Sequence, residues 1–266
     1  MRSPSPSVLE SFGLRGGTCP VRGGQGTCWE VDGAVLKPDQ DPDLVRWLGT
    51  ELAEVDQEGF LLPSVLSATD GSWVVDGWSA SAYVGGSGAE DGPVDWRALV
   101  EAARCFHRAT ARLPCPDLVA RRDDPWARAD RAVWGEETLQ PPPVLAPLAE
   151  RLRRTIGAAT SRQRQVVHAD LAGNVLLAPG QTPAIIDVSP VWRPVSYAEG
   201  IVVADAVCWH GADPDLGPSL DIPTDDVARG LLFRVLVLGL LHDDGERDAL
   251  VDQARRHTRA ADVLGL

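Results

Sequence analysis

One lysine, one methionine and two tyrosines in 266 residues are the most conspicuous shortages of this chain. Every cation other than Lys37 is an arginine. A compact ammonium retained at a single place suits a phosphate oxygen better than a wide, planar guanidinium fork does, although a chance survivor of a lysine-poor composition would look the same. No apolar run approaches the length of a membrane span, and 44% apolar content supplies core for one or two lobes. The five cysteines, at 19, 28, 105, 115 and 208, are odd in number and form no C-x-x-C pair, which fits reduced, mostly structural thiols. There is no H-E-x-x-H and no metal-spaced Cys/His cluster, and Gly85-Gly86-Ser87-Gly88-Ala89 fails G-x-S-x-G at its last place. Met1 to Glu10 hold one arginine, two prolines and no apolar block, so no signal peptide is visible and a cytoplasmic location is expected. A formal charge of −13 argues against nucleic acid or an anionic membrane as the main partner, since either needs a basic face.

What is present is concentrated in residues 166 to 190, V-V-H-A-D-L-A-G-N-V-L-L-A-P-G-Q-T-P-A-I-I-D-V-S-P. His168, Asp170, Asn174 and Asp187 fall on a loop and a strand end flanked by apolar runs. Phosphoryl transfer needs such a set. One carboxylate orients and deprotonates the attacking hydroxyl, while an amide and a second carboxylate hold magnesium against the phosphates. Asp170 is the candidate base, and a carboxylate near its ordinary pKa is already charged at neutral pH.

A matching segment lies near the N-terminus. Arg22-Gly23-Gly24-Gln25-Gly26-Thr27 precedes a β-prone run to Val31, an Asp32-Gly33 turn, and Ala34-Val35-Leu36-Lys37. The turn is a strong hairpin signal. Gly23, Gly24 and Gly26 leave backbone amides open to phosphates, but the stretch spells neither G-x-x-x-x-G-K-[ST] nor a full G-x-G-x-x-G. Lys37 would reach the α and β phosphates and needs an acid on the following helix. Glu51, one turn beyond Trp47, is the first choice and Asp43 competes, whereas capping accounts for Asp41.

The glycine-rich hairpin with its lysine, followed more than a hundred residues later by His168-x-Asp170, Asn174 and Ile185-Ile186-Asp187, resembles the aminoglycoside phosphotransferase family. These are small-molecule kinases that share the protein-kinase fold. The resemblance is strongest to an actinobacterial branch marked by H-x-D-L-A-G-N-V-L and I-D-x-S-P-x-W-R-P. It implies ATP and Mg2+ as cofactors and transfer of the γ-phosphate to a hydroxyl of an aminosugar, aminoglycoside-like or related metabolite. It further implies that His168 braces the catalytic loop, that Asp205 ties that loop down from below through its backbone amides, and that the chain at Tyr83 holds the adenine. The sequence departs from the family in one place. Three residues separate Asp170 from Asn174 where most members have four, and Gly173 could give the backbone a tighter path. Asp187 is followed by Val188-Ser189-Pro190 rather than Phe-Gly, which fits a fixed metal loop. The shortened loop leaves open a nucleotide-binding regulatory module with little turnover. The short stretch from Asp187 to Asp205 leaves little room for the activation segment of a protein kinase.

The expected architecture is α+β, a two-lobe protein-kinase-like fold with a β-rich N-lobe and a mainly helical C-lobe. Residues 1–11 form a disordered N-terminus, 12–84 the N-lobe, 85–93 a glycine-rich hinge and 94–266 the C-lobe. A helix starting at Asp41-Pro42 carries an apolar stripe from Leu44 to Val55, and a second runs from Asp95 to Arg112. Trp73-Val74-Val75 with Trp78 to Val84 reads as a hairpin, and helices at 195–210, 227–242 and 246–263 close the chain. Six aspartates and no cation between Asp205 and Asp226 could draw a cationic small-molecule substrate.

Overall fold

Asp32 and Gly33 both adopt positive φ (50° and 74°), the conformation of a two-residue hairpin turn. They join β2 (Trp29–Val31) to β3 (Ala34–Lys37). The Asp32 carboxylate also accepts the backbone N–H groups of Arg15 and Gly16, at 2.7 and 2.8 Å. In the computed structural model, which describes residues 2–21, 26–157, 162–242 and 247–266, this hairpin is the centre of an antiparallel sheet. β1 (Cys19–Pro20) lies outside β2, while β5 (Ser79–Ala82) and β4 (Val65–Leu66) follow β3, giving the order β1-β2-β3-β5-β4. Leu36 is buried and Lys37 alternates outward, in register with Ser79.

Three expectations for the N-lobe need correction. Residues 1–11 contain a helix, α1 (Pro6–Ser11), capped by the Ser5 hydroxyl and pinned by buried Val8 and the following Phe12 against Trp78 and Leu36. The helix capped by Asp41, α2, stops at Gly49 instead of running to Val55. The indole of Trp73 lies where a side chain at 49 would stand, 2.5 Å from an ideal Cβ, and the Leu52 N–H then reaches back to Trp47 O in an unwound turn. Trp73 and Val74 form no strand, and the tight turn at 75–78 is closed by Val75 and Trp78 alone.

The C-lobe is helical: α3 (Trp96–Thr110), α4 (Asp117–Arg121), α5 (Pro125–Val133), α6 (Ala146–Thr155), α7 (Val195–His210), α8 (Leu216–Ser219), α9 (Thr224–Leu241) and α10 (Arg247–Val263). No helix among the described residues is long and apolar enough to cross a membrane. Helices α7 and α9 form the heart of the lobe and are apolar nearly all round, as buried helices are. Two glycines let them touch. A Cβ on Gly200 would sit 2.2 Å from Asp226 O, and one on Gly230 would sit 2.6 Å from Ile201 N.

Short strands carry the functional loops. β6 (Gln165–His168) pairs with β9 (Pro190–Arg193), and β7 (Val175–Leu176) pairs with β8 (Ala184–Ile185). The same strands dock the rest of the chain. Leu61 bridges to Ala184, and Ser87 exchanges two backbone hydrogen bonds with Leu177 at 2.9 and 3.0 Å. The glycine-rich hinge is therefore pinned to the C-lobe. Gly86 (φ 147°) is required there, because a Cβ would meet that of Leu176 at 2.8 Å.

Gly200→Ala should destabilise the chain by about 1–3 kcal/mol, since the added methyl meets backbone that cannot rotate away. Chemical denaturation measures this, and a loss below about 0.5 kcal/mol, the range of an ordinary surface substitution, would show that α7 and α9 do not approach this closely.

Candidate functional site

The catalytic-loop candidates are positioned by strand pairing. β6 ends at His168, and the Ala169 N–H continues the ladder to Ser189 O at 3.0 Å. On the neighbouring hairpin Val175 faces Ile185, and the Ile186 N–H bonds Asn174 O at 2.9 Å. Asn174 and Asp187 are thereby brought to the same end of one hairpin. Asp187 takes φ 48°, a left-handed conformation that aspartate tolerates better than most residues. The short loop closes through an Asn174 N–H to Leu171 O bond of 3.0 Å. Gly173 is not among the positive-φ residues, so the tighter path does not use glycine's special freedom.

His168 is fully buried and ties these loops together. Its Nδ1 accepts the N–H of Asp170 (3.1 Å) and of Ser189 (3.4 Å), and its Nε2 lies 3.1 Å from Ile186 O. That set assigns a neutral ring with the proton on Nε2, donated to Ile186. Burial lowers its pKa, against the opposing pull of the Asp170 and Asp187 carboxylates. Behind it stands His107 of α3, whose Nε2 accepts the backbone N–H of His168 at 3.3 Å. Burial, aided by the neighbouring His168, pushes the His107 pKa down to about 3.

Asp170 is engaged on both oxygens. Oδ2 accepts the Asn174 side-chain amide at 3.1 Å, and the same nitrogen also donates to Asp170 O at 2.6 Å. Oδ1 accepts Nη2 of Arg234, from α9, at 2.6 Å. Burial opposes ionisation of Asp170, but the Arg234 guanidinium and the Asn174 amide outweigh it and bring the carboxyl below its ordinary range. Arg234 also binds Asp205 of α7 in bidentate fashion, Nε to Oδ1 at 2.9 Å and Nη2 to Oδ2 at 2.6 Å. Asp205 therefore secures the loop through an arginine and not through the backbone amides expected for it. Arg234 is the residue that sequence reading missed.

From the N-lobe sheet, Lys37 Nζ lies 2.8 Å from Asp187 Oδ1, with both side chains partly exposed. Glu51 does not meet Lys37. With α2 ending at Gly49, Glu51 is exposed and accepts the Thr50 hydroxyl at 2.5 Å, a bond that lowers its pKa. Asp43 is taken by Arg121 at 2.7 Å. Cys28 is close enough to Lys37 and Asp187 for both charges to act on its thiol, although burial prevails and pushes its pKa up. Gly23 and Gly24 lie outside the described residues, while Gly26 takes φ 65°. Tyr83 exposes its side chain, and its backbone N–H is already bonded to Gly33 O at 2.8 Å. Of the six aspartates between 205 and 226, Asp205 pairs with Arg234, and Asp225 and Asp226 pair with Arg162 and Arg229. Only Asp213, Asp215 and Asp221 remain exposed, so the acidic rim is about half of what the sequence suggests.

The histidine pair has a consequence for stability. His107 stays neutral in the folded chain and takes a proton on unfolding, so its contribution is complete above the ordinary pKa of 6.5 and is lost as pH falls toward about 3. The loss amounts to about 1.4 kcal/mol per pH unit at most. His107→Gln, which keeps an acceptor but cannot titrate, should reduce the fall in unfolding free energy between about pH 6 and about pH 4 by roughly 2 kcal/mol. Denaturation curves at the two pH values test this, and an unchanged slope would show that His107 is not held neutral.

No family model and no curated sequence matches the chain. Solved structures do. A microcompartment-associated aminopropanol kinase superposes with a TM-score of 0.62 at 18% identity, covering 97% of each chain. Aminoglycoside phosphotransferase APH(4)-Ia, as a thermostable mutant in a ternary complex with ADP and hygromycin B, gives 0.61 at 14% identity, again over 97% of each chain. The amicoumacin kinase hAmiN, solved with AMP-PNP and calcium, gives 0.61 at 13% identity over 96% of this chain and 92% of its own. At such identities the likeness is one of architecture. The β-rich N-lobe, pinned hinge and helical C-lobe described above are thus the kinase-like fold shared by aminoglycoside phosphotransferases and related small-molecule kinases.

Proposed function

We propose that this chain is an ATP-dependent phosphotransferase that moves the γ-phosphate to a hydroxyl of a small molecule, of aminosugar, aminoglycoside-like or related type. The observation that carries the reading is the meeting of the only lysine with Asp187 at 2.8 Å, beside a loop that presents Asp170 and Asn174. Its structural neighbours are named as kinases or phosphotransferases of small molecules.

In this reading Lys37 leaves Asp187 for the phosphates, where a mobile point charge follows the negative charge of the triphosphate. Asp187 and the Asn174 amide oxygen would then hold Mg2+, which would supply neutralisation of charge developing on the transferred group. The donor set fits that ion. Magnesium is usually held by one or two carboxylates together with water and phosphate, and Asn174 and Asp187 stand at the same end of one hairpin with oxygen donors to offer. Asp170 would orient the acceptor hydroxyl and take its proton as the hydroxyl oxygen bonds to the γ-phosphorus and the bond from that phosphorus to the β–γ bridging oxygen breaks, releasing ADP. The exposed Asp213, Asp215 and Asp221 favour an acceptor that carries positive charge.

A second reading, nucleotide binding with little turnover, is favoured by one feature: Arg234 and Asn174 already occupy both oxygens of Asp170. ATP consumption screened over aminosugars and aminoglycoside antibiotics, with magnesium, separates the two. A phosphorylated product supports transfer, and Asp170→Ala should then lower kcat by about 10²- to 10⁴-fold, the usual weight of a general base. Undiminished activity in that variant would remove Asp170 from its role. Tight ADP binding with no product across the panel would establish the second reading.

A further inference from the structure

Arg234 is placed as no ordinary surface cation is. It lies on α9, 64 residues beyond Asp170 and 29 beyond Asp205, and its guanidinium is buried between their carboxylates. The geometry divides its donors cleanly. Nε and one N–H of Nη2 form a two-point fork onto Asp205, and the remaining N–H of Nη2 is directed at Oδ1 of Asp170. A planar fork fixed on one side by a buried carboxylate has no freedom to swing, so the third bond fixes the second carboxylate. Lysine could not do this, since a single ammonium on a flexible stem cannot hold one acid in bidentate fashion while aiming at another. The rest of the surroundings makes the clamp rigid. Asp205 lies on α7, which is locked to α9 through Gly200 and Gly230, and the ring of Phe233 packs 5.3 Å from the guanidinium.

We infer that Arg234 is a positioning residue: anchored by Asp205, it holds the Asp170 carboxylate in a single orientation, with Oδ2 left to exchange Asn174 for the hydroxyl of the phosphate acceptor. This rests on the phosphotransferase reading of the cleft and deepens it. Orientation of a base is worth large factors, because a misplacement of about 1 Å can cost about 10²-fold in rate. The guanidinium is bonded to Asp205 and Asp170 and not to Lys37, Asn174 or Asp187, so nucleotide affinity should be independent of it.

Arg234→Gln alone would strand a buried Asp205, and the chain could then unfold for reasons unrelated to catalysis. The informative variant is therefore the double substitution Arg234→Gln with Asp205→Asn, which leaves a neutral pair, compared with Arg234→Lys and with the unaltered chain. Three quantities are measured for each: thermal midpoint, affinity for ADP with magnesium by calorimetry, and kcat and KM for ATP with whichever acceptor of the aminosugar and aminoglycoside panel the unaltered chain phosphorylates. The expected result is a kcat lowered by about 10²-fold in the double variant, with ADP affinity and KM for ATP within about threefold of the unaltered chain. Arg234→Lys should fall between the two in kcat, as a charge without a fork. An active parent with an equally active double variant overturns this inference alone, and so does a loss of kcat matched by an equal loss of ADP affinity. A parent that transfers phosphate to nothing, water included, overturns the phosphotransferase reading and this inference with it.

Discussion

A neutral imidazole is the constraint on which the placement of Asp170 against Asp187 depends. His168 accepts two backbone N–H groups, one from the loop of Asp170 and one from the loop after Asp187, and donates to a carbonyl at Ile186. These three bonds fix the separation of the two loops, and no protonated ring could make them, because imidazolium has no acceptor. Burial enforces the neutral state. His107 adds a second brace from α3 by accepting the His168 N–H, so that helix is coupled directly to the loop that carries Asp170. The Thr110 hydroxyl and the Gln165 amide strengthen the same seam, bonding Val166 O and His107 O.

Upon this scaffold the charges are divided by type. Arginine carries the structural pairings: Arg193 grips Asp130 and Glu136, Arg162 and Arg229 grip Asp225 and Asp226, and Arg104 grips Glu199. Each uses a rigid fork to satisfy buried or half-buried carboxylates that would otherwise be costly. The one lysine pairs instead with a partly exposed carboxylate, Asp187. Its pair with Asp187 is partly exposed and therefore weak, on the order of 1 kcal/mol or less. A pair of that strength opens readily.

What could be read from the sequence was local. Asp170, Asn174 and Asp187 fall within 18 positions of one another on a loop and a hairpin, where turn and strand patterns dictate proximity, and the Asp32-Gly33 turn placed Lys37 on its strand. Misreadings arose wherever a distant residue decided the outcome. The apolar stripe from Leu44 to Val55 predicts a longer α2, but Trp73 claims the space above Gly49, and Glu51 is left in solvent. The acidic run from Asp205 to Asp226 looks like an open rim because its arginine partners lie elsewhere in the chain. Arg234 was invisible for a related reason. It sits in a helix buried on all sides, where hydrophobic periodicity vanishes, and its meaning comes only from two acids 29 and 64 residues away.

The charges gathered at the proposed site sum to one negative charge, and that shapes how the proposed reaction would begin. Lys37 cancels Asp187, and Arg234 sits between Asp170 and Asp205 with one negative charge in excess. In the proposed reading a triphosphate would meet this excess, and magnesium held by Asp187 and Asn174 would supply positive charge that offsets it. The same logic separates the roles of the two arginine-bound and lysine-bound acids. In the proposed reading Asp187, held by a single ammonium, would be free to adapt to an ion, whereas Asp170, held by a guanidinium that Asp205 anchors, would be kept in place as a base.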